Sequence, residues 1–294
     1  MRNLIVNADD LGWTCGVNRG IAESHAHGIV TSTTLLANGA VFDDALRVIR
    51  ATPSLGVGVH LNLSDGPPVV APSEVPSLVD AQGRFSGGPQ QILLRLARRK
   101  LIVAEVEHEW DAQIRKIRNA GIELTHLDGH KHVHMLPRLF PVALRLAKKY
   151  GIASIRISHE TSSLRAALAS GDSENSTAIL KQGAQARGLK LLARDARTLA
   201  ERAGIAAADY FCGIAHTGEL TTHGLEKLLA ALPEGTTELM CHPGYADEDL
   251  RQTDTRLQVS RENELRILTG TTIRNSVASR GIRLINYSDI TTQV

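Results

Sequence analysis

Residues 4–12 read LIVNADDLG, a short apolar run that ends in two adjacent aspartates and a glycine. The segment 4–8 has the length and aliphatic composition of a buried β-strand. Helical periodicity follows over 17–27 and stops at Gly28, as helices commonly do at a glycine. A buried strand that leads into carboxylates and then into a helix is typical of α/β proteins, whose chemistry lies at strand ends.

The same alternation of strand and helix continues along the chain. Strands are predicted at 4–8, 33–37, 56–63, 124–128, 154–157, 210–214, 237–241 and 282–287. Helices are predicted at 17–27, 43–51, 90–100, 104–120, 139–150, 180–202, 224–232 and 261–268. This pattern predicts a parallel α/β sheet. The strand count and the length of 294 residues favour a single, distorted TIM-like (β/α)-barrel domain over 1–294 rather than an open doubly wound sheet.

Two segments interrupt this alternation and are expected to be loop insertions. One is 64–90, which contains five prolines, and the other is 158–205. The second includes a basic helical stretch at 180–202, for which barrel packing, a homodimer contact and peripheral membrane contact all remain open. Packing on the barrel is favoured, because Gly183 and Gly188 weaken an independent amphipathic helix.

The composition is that of an ordinary globular protein, with 43% apolar residues, 22% charged residues and a net charge of +2. Acidic and basic residues are interspersed, which argues against a nucleic-acid partner. The three cysteines are widely spaced and form no CxxC pair, so we expect reduced thiols in a cytoplasmic protein. No apolar run approaches the roughly 20 residues that a membrane span needs.

Histidines and aspartates collect where the predicted strands end. Asp9 and Asp10 end the first strand, His60 lies late in the third, and His242 follows the seventh. The segment 126–134, HLDGHKHVH, adds four histidines in nine residues at the end of the fourth strand. Because the carboxyl ends of parallel strands meet on one side of a barrel, we expect these groups to lie close together.

The alternation of side chains along a strand decides which of them face inward. His60 shares its face with two glycines, while valines and leucines occupy the other face and pack on helices. His126 and Asp128 also share one face. Three further histidines continue that face if the chain stays extended: His130, His132 and His134.

One carboxylate and two imidazoles are ligands expected for Zn²⁺ or another divalent ion, with positions left for water and substrate. Strand geometry points to Asp10, His60 and His126 as these ligands. Asp9 is then available as a general base, provided that the strand has turned by that residue. His242 is positioned to act as the general acid.

Simpler interpretations exist for the individual residues. A lone His60 is more often a core histidine, and an aspartate pair commonly caps a helix, as Thr14 also can. The histidine cluster is harder to explain by packing. The same ligand set also occurs in non-haem Fe(II) oxygenases, and a non-catalytic carbohydrate-binding protein is a further alternative.

Several segments together resemble the YdjC-like carbohydrate deacetylases, which include chitooligosaccharide deacetylases and hopanoid-biosynthesis deacetylases. The matching segments, in chain order, are 4–12 (LIVNADDLG), 28–34 (GIVTSTT), 58–60 (GVH), 126–134 (HLDGHKHVH) and 240–243 (MCHP). The resemblance implies a (β/α)-barrel that removes acetyl from an N-acetylated sugar or glycolipid. It also implies a divalent metal, Zn or Mg, at Asp10, His60 and His126, with Asp9 as base and His242 as acid.

Three further residues are predicted to bind substrate: Trp13, Asn38 and Arg156. Leu11 stands where many relatives have Phe, and the nearby Trp13 is expected to shape the mouth of the pocket. Arg156 is expected either to orient substrate or the acid–base groups, or to form an ordinary surface ion pair. The sequence does not identify the sugar.

Overall fold

A computed structural model describes residues 1–161, 163–164, 166 and 195–290. Its described residues form one parallel sheet of eight strands. The strands are β1 (Arg2–Leu11), β2 (Ser32–Leu35), β3 (Gly56–Leu61), β4 (His126–Gly129), β5 (Ser154–Ile155), β6 (Tyr210–Cys212), β7 (Gly235–Cys241) and β8 (Arg283–Leu284).

The sheet curls into a TIM-like barrel, which confirms the predicted fold class. The strand order is β5-β4-β3-β2-β1-β7-β6, and isolated parallel bridges connect the two edges at Ser154–Ala206 and Glu160–Phe211. The barrel is distorted at β1, which pairs with β2 only from Asn7 onward. Beside the start of β1, the short strand β8 pairs instead, so the C-terminal segment enters the barrel at the amino ends of the strands.

Helices lie in the connections between strands. They are α1 (Cys15–Ala26), α2 (Phe42–Ala51), α3 (Pro89–Ala97), α4 (Val103–Asn119), α5 (Phe140–Tyr150), α6 (Thr222–Ala231), α7 (Glu248–Arg251), α8 (Val259–Thr269) and α9 (Thr271–Ser279); residues 195–203 are also helical. The sequence did not predict α9. Its buried hydrophobic residues are only Ile273 and Val277, too narrow an apolar stripe to stand out in a polar segment.

The hydrophobic core divides between the two sides of the sheet. The larger cluster includes the outward-facing Val57, Val59 and Leu61 of β3, as the strand alternation predicted. A separate, smaller cluster contains Ile5, Ile285 and Tyr287. Ile5 alternates with residues that face the helices, so this second cluster marks the barrel interior.

The two predicted insertions differ in what the structure describes. Residues 64–88 form an irregular loop with one 3-10 turn, and the buried carboxylate of Glu109 anchors it by accepting hydrogen bonds from the backbone of Val69 and Val70. Most of 158–205 lies outside the described residues, including 180–194 of the basic stretch predicted at 180–202. All three cysteines are free thiols, as predicted. Within the described ranges, no helix is both long enough and apolar enough to cross a membrane.

Candidate metal centre and catalytic site

The end of β1 turns sharply, as the roles predicted for its two aspartates require. Pairing with β2 shifts register between Ala8 and Leu11, and Asp10 has a left-handed backbone with φ of 73°. The alternation of strand faces is thereby broken, and both Asp9 and Asp10 are buried in the barrel mouth. The helix-capping alternative applies to Thr14, whose hydroxyl accepts a hydrogen bond from the backbone N–H of Val17.

Three buried side chains point their donor atoms at one another. Oδ1 of Asp10 lies 2.9 Å from Nδ1 of His130 and 3.5 Å from Nε2 of His60, and the two ring nitrogens are 3.3 Å apart. Oδ1 accepts no well-aligned hydrogen bond from any residue that the structure describes. Ligands held about 2.1 Å from an ion are separated by about 3.0 Å in an octahedron and about 3.4 Å in a tetrahedron. The three donor atoms therefore fit a divalent cation.

Surrounding groups fix the orientation of each donor. Nδ1 of His60 lies 2.6 Å from Oδ1 of Asp128, which directs its Nε2 towards Asp10. Oδ2 of Asp10 accepts a hydrogen bond from Arg261 at 2.6 Å, and Nε2 of His130 lies 3.2 Å from Oδ2 of Asp65. Burial alone lowers the pKa of His60, but Asp128 and Asp10 outweigh it and raise that pKa to about 10. The pocket therefore favours positive charge.

His126, the predicted third ligand, does not join this group, and the structure favours His130 in its place. The ring of His126 is fully buried and stacks on Tyr287, with centroids 3.8 Å apart, and its Nδ1 lies 2.9 Å from the hydroxyl of Thr125. The prediction assumed an extended chain beyond Gly129. Instead, left-handed backbone conformations at residues 131 and 132 fold the chain into a tight turn, which places His130 against His60.

Asp9 is held by a buried arginine. Nη1 and Nη2 of Arg156 donate to its two oxygens at 2.8 and 2.7 Å, and the amide of Asn7 donates to Oδ1 at 2.9 Å. Burial alone raises the pKa of Asp9, but the charge of Arg156 outweighs it, and the pKa lies below its ordinary value. Asp9, His60 and Asp128 also have ligand-type atoms within 4.8 Å of one another. Arg156, however, already supplies the positive charge beside both carboxylates.

Arg156 is fully buried, so the interpretation as a surface ion pair is wrong, whereas its predicted role in substrate binding stays a prediction. Besides Asp9, its Nη1 lies 2.7 Å from Oδ2 of Asp128, and its Nε donates to Glu238 at 2.7 Å. All three guanidinium nitrogens therefore contact carboxylates below the mouth of the site. The remaining prediction, that Arg156 orients the acid–base group, agrees with these contacts.

His242 lies at the end of β7, beside the two aspartates. Its backbone N–H donates to Glu264 at 2.6 Å, and its side chain is buried. Burial lowers the pKa of His242 to about 4, although the charges of Asp9 and Asp10 act in the opposite direction. The imidazole is therefore neutral near pH 7.

The other two predicted substrate residues lie near the mouth but differ in their contacts. Trp13 is partly exposed, and its ring centroid lies 5.0 Å from that of His130. The amide of Asn38 donates to the backbone oxygens of Asp65 and Pro67, both at 2.9 Å. Asn38 thus fastens the 64–90 loop, and Trp13 is the better candidate for substrate contact.

Two more histidines of the cluster have structural partners. Nδ1 of His132 lies 2.9 Å from the hydroxyl of Ser158, and Nε2 of His134 lies 3.0 Å from the backbone oxygen of Arg156. These contacts hold the turn after β4 against the chain that follows β5.

Sequence reasoning missed the site residues contributed by α8 and by the 64–90 loop. Arg261 and Glu264 are buried on the same helix as Leu265 and Leu268. Charged side chains within the apolar stripe of an amphipathic helix were the available signal, because such residues are rarely buried unless they are paired. Asp65 gave no comparable signal, since its role depends on how an irregular loop folds.

The fold and the site together define a class of protein. The barrel is TIM-like, and the carboxyl ends of its strands carry a carboxylate and two imidazoles able to hold a cation, with a separate ionised carboxylate beside them. This is the architecture of a metal-dependent hydrolase. Residues 3–279 match the sequence model of the YdjC-like protein family, so the chain belongs to that family. The family resemblance predicted from the sequence is therefore confirmed.

Named relatives match over almost their whole length. A carbohydrate deacetylase of Brevibacillus brevis is 32% identical, covering 98% of this chain and 99% of the relative. A chitooligosaccharide deacetylase of Klebsiella pneumoniae is 34% identical with the same two coverages. The crystal structure of a putative cellobiose-phosphate cleavage protein from Enterococcus faecalis is 31% identical, with a TM-score of 0.77 and 97% coverage of both chains.

Proposed function

We propose that the protein hydrolyses the acetamido group of an N-acetylated sugar, releasing acetate and leaving a free amine on the sugar. The observation that carries the proposal is the convergence of Asp10, His60 and His130 on one point, with the ionised Asp9 beside them. The names of the deacetylase relatives supply the substrate class. Nothing comparable favours an Fe(II) oxygenase or a non-catalytic binding protein.

Asp10, His60 and His130 are proposed to hold one divalent cation. Two imidazole nitrogens suit Zn²⁺ better than Mg²⁺, which prefers an all-oxygen shell. When bound, such a cation polarises the amide carbonyl and lowers the pKa of a water molecule next to it. Arg261 engages the second oxygen of Asp10 and so favours binding through one oxygen only.

Asp9 is proposed as the general base that takes a proton from the attacking water. Its low pKa keeps the carboxylate ionised, and the two hydrogen bonds from Arg156 fix its plane. A carboxylate held in one orientation loses little entropy on reaching the transition state. Oδ1 already accepts two hydrogen bonds and Oδ2 accepts one, so the remaining lone pair of Oδ2 is available to the water.

His242 is proposed as the general acid that gives a proton to the departing amine. Because its pKa is about 4, the ring is neutral before the attack. It therefore takes up the proton that Asp9 has removed from the water, as negative charge builds up on the attacked amide, and then passes this proton to the departing nitrogen. The nearby carboxylates of Asp9 and Asp10 favour the protonated ring. The imidazolium of His242 is therefore stabilised beside the bond that it helps to break.

The proposed substrate is a chitooligosaccharide or a glycolipid that carries N-acetylglucosamine, with Trp13 lining the mouth.

The proposed location is the cytoplasm, because free thiols are typical of proteins in that reducing compartment. Vesicle co-sedimentation and size-exclusion chromatography test the alternatives of peripheral membrane contact and a homodimer.

Acetate release tests the proposed activity. Metal-free protein is loaded with Zn²⁺ or Mg²⁺ under anaerobic conditions and assayed with N-acetylglucosamine, chitobiose and an N-acetylglucosaminyl lipid, and elemental analysis of the purified protein identifies the native metal. We expect stoichiometric acetate and amine from at least one substrate. Turnover that required both iron and oxygen would instead indicate the oxygenase, and stoichiometric sugar binding without turnover would indicate the binding protein.

A further inference from the structure

A continuous series of buried hydrogen bonds runs from the C-terminal segment to Asp9. The hydroxyl of Tyr287 donates to Oε2 of Glu238 at 2.5 Å. The other oxygen of Glu238 accepts from Nε of Arg156 at 2.7 Å, and both terminal nitrogens of Arg156 donate to Asp9. These four residues are all buried.

The Nε contact matters because it fixes the plane of the guanidinium group. A planar fork donates to both oxygens of a carboxylate only in one orientation. Glu238 accepts from Nε, and Asp128 lies 2.7 Å from Nη1, so these two carboxylates together keep Nη1 and Nη2 pointed at Asp9. Burial raises the pKa of Glu238 to about 7, while Arg156 and the Tyr287 hydroxyl favour its ionised form. Without the hydroxyl, one oxygen of Glu238 loses its hydrogen bond.

The sequence of β3 provides the space for this arrangement. A Cβ on Gly58 would lie 2.4 Å from the ring of His126, and one on Gly56 would lie 2.9 Å from Asn286. The two glycines therefore accommodate His126 and the C-terminal segment. His126 in turn stacks against Tyr287, with 10° between the ring planes. Tyr287 lies outside residues 3–279, which are the part of the chain that matches the family's sequence model.

We propose that Tyr287 and Glu238 are positioning residues for catalysis, which act on Asp9 through Arg156. The inference rests on the proposed function, in which Asp9 is the general base. It also assigns a role to the histidine that the sequence suggested as a metal ligand: His126 supports the ring of Tyr287 inside the barrel.

Tyr287→Phe is the direct test, because it removes one hydroxyl and keeps the ring that stacks on His126. We expect kcat to fall about tenfold, since small misplacements of a catalytic group cost up to about a hundredfold. KM and bound metal should stay near wild type, and the melting temperature should fall by a few degrees, because a buried oxygen of Glu238 loses its donor. Tyr150→Phe is the matched control: it removes a hydroxyl that donates to Asp111 at 2.8 Å, outside the site, and should leave kcat unchanged.

Glu238→Gln provides a second, independent variant. It keeps the size of the side chain, weakens the acceptor for Nε of Arg156, and should also lower kcat with metal retained. It replaces Tyr287→Phe in the measurements if that variant does not fold.

A double-mutant cycle with Asp9→Asn separates this inference from the proposed function. Once Asp9 cannot act as a base, Tyr287→Phe should cause no further loss in the residual rate. Wild-type kcat in Tyr287→Phe, an equal loss in both backgrounds, or loss of metal in Tyr287→Phe would overturn the positioning role. Full activity of Asp9→Asn alone would overturn the base assignment instead.

Discussion

Two charged clusters lie side by side in the barrel and differ in how their charges are matched. We call Asp9, Arg156 and Glu238 the arginine cluster, and Asp10, His60 and His130 the cation cluster. In the arginine cluster, each guanidinium nitrogen contacts a carboxylate. In the cation cluster, Oδ1 of Asp10 faces two imidazole nitrogens and accepts no well-aligned hydrogen bond from a described residue.

The difference indicates what each cluster needs in order to work. Arg156 is a permanent cation that the protein supplies itself, so the arginine cluster is complete and rigid on its own. The cation cluster is able to hold an ion from solution, and we propose that such an ion completes it. Since Asp9 and Asp10 are adjacent, the left-handed turn at Asp10 is what assigns one aspartate to each cluster. Breaking either cluster should therefore have a different effect on metal content.

The largest expected effect comes from breaking the cation cluster with His130→Ala. Loss of one of three protein ligands should reduce bound metal to background. Acetate release should fall by roughly a thousandfold or more, because a metal contributes several kcal/mol to the transition state. Elemental analysis and the acetate assay measure the two effects together. Full metal occupancy in this variant would remove His130 from the site and would reopen the assignment of His126.

Breaking the arginine cluster with Asp9→Asn should have the next largest effect. The amide keeps the shape of the side chain but cannot take a proton, so kcat should fall about a hundred- to a thousandfold. Metal content should remain at wild-type level, which is the contrast with His130→Ala. Loss of metal together with activity would mean that Asp9 also supports the cation cluster, to which Asp128 connects the arginine cluster by contacting both His60 and Arg156.

The sequence was sufficient for the barrel and for most of the strand-end residues. Strand and helix periodicities are local, and Asp9, Asp10, His60 and His242 were identified because each lies where a predicted strand ends. The left-handed turn after β4 was not predictable in the same way. Residues 131 and 132 are Lys and His, which rarely adopt positive φ, so no glycine marked the turn. Its conformation follows from tertiary contacts of His132 and His134.

Other residues of the site could not be predicted, because their partners lie far away along the chain. Arg261 reaches Asp10 across 251 positions, and Glu238 pairs with Arg156 across 82. A single sequence contains no signal for such pairings beyond charged residues in otherwise apolar elements. The inward orientation of Arg156 was likewise undecided, because only the folded barrel puts three carboxylates around it.

His126→Ala sharpens the comparison, because His126 lies outside both clusters. Removing a fully buried ring that stacks on Tyr287 should destabilise the protein by about 2–3 kcal/mol through the cavity that it leaves. Metal should be retained, in contrast to His130→Ala. Urea denaturation measures the stability, and elemental analysis of the folded variant measures the metal. Loss of metal from folded His126→Ala protein would restore the ligand role first predicted from the sequence.

The smallest effect is expected at Trp13, which touches the cation cluster without belonging to it. Its partly exposed ring lies 5.0 Å from that of His130 and offers an apolar surface to a sugar ring. Trp13→Ala should raise KM about three- to tenfold, in line with about 0.5–1.5 kcal/mol for an aromatic contact. Bound metal should be unchanged, because none of the three donor atoms comes from Trp13. Wild-type KM for every substrate tested would place sugar binding elsewhere at the mouth. A loss of metal would instead show that Trp13 supports the orientation of His130, and the boundary of the cation cluster would then include this ring.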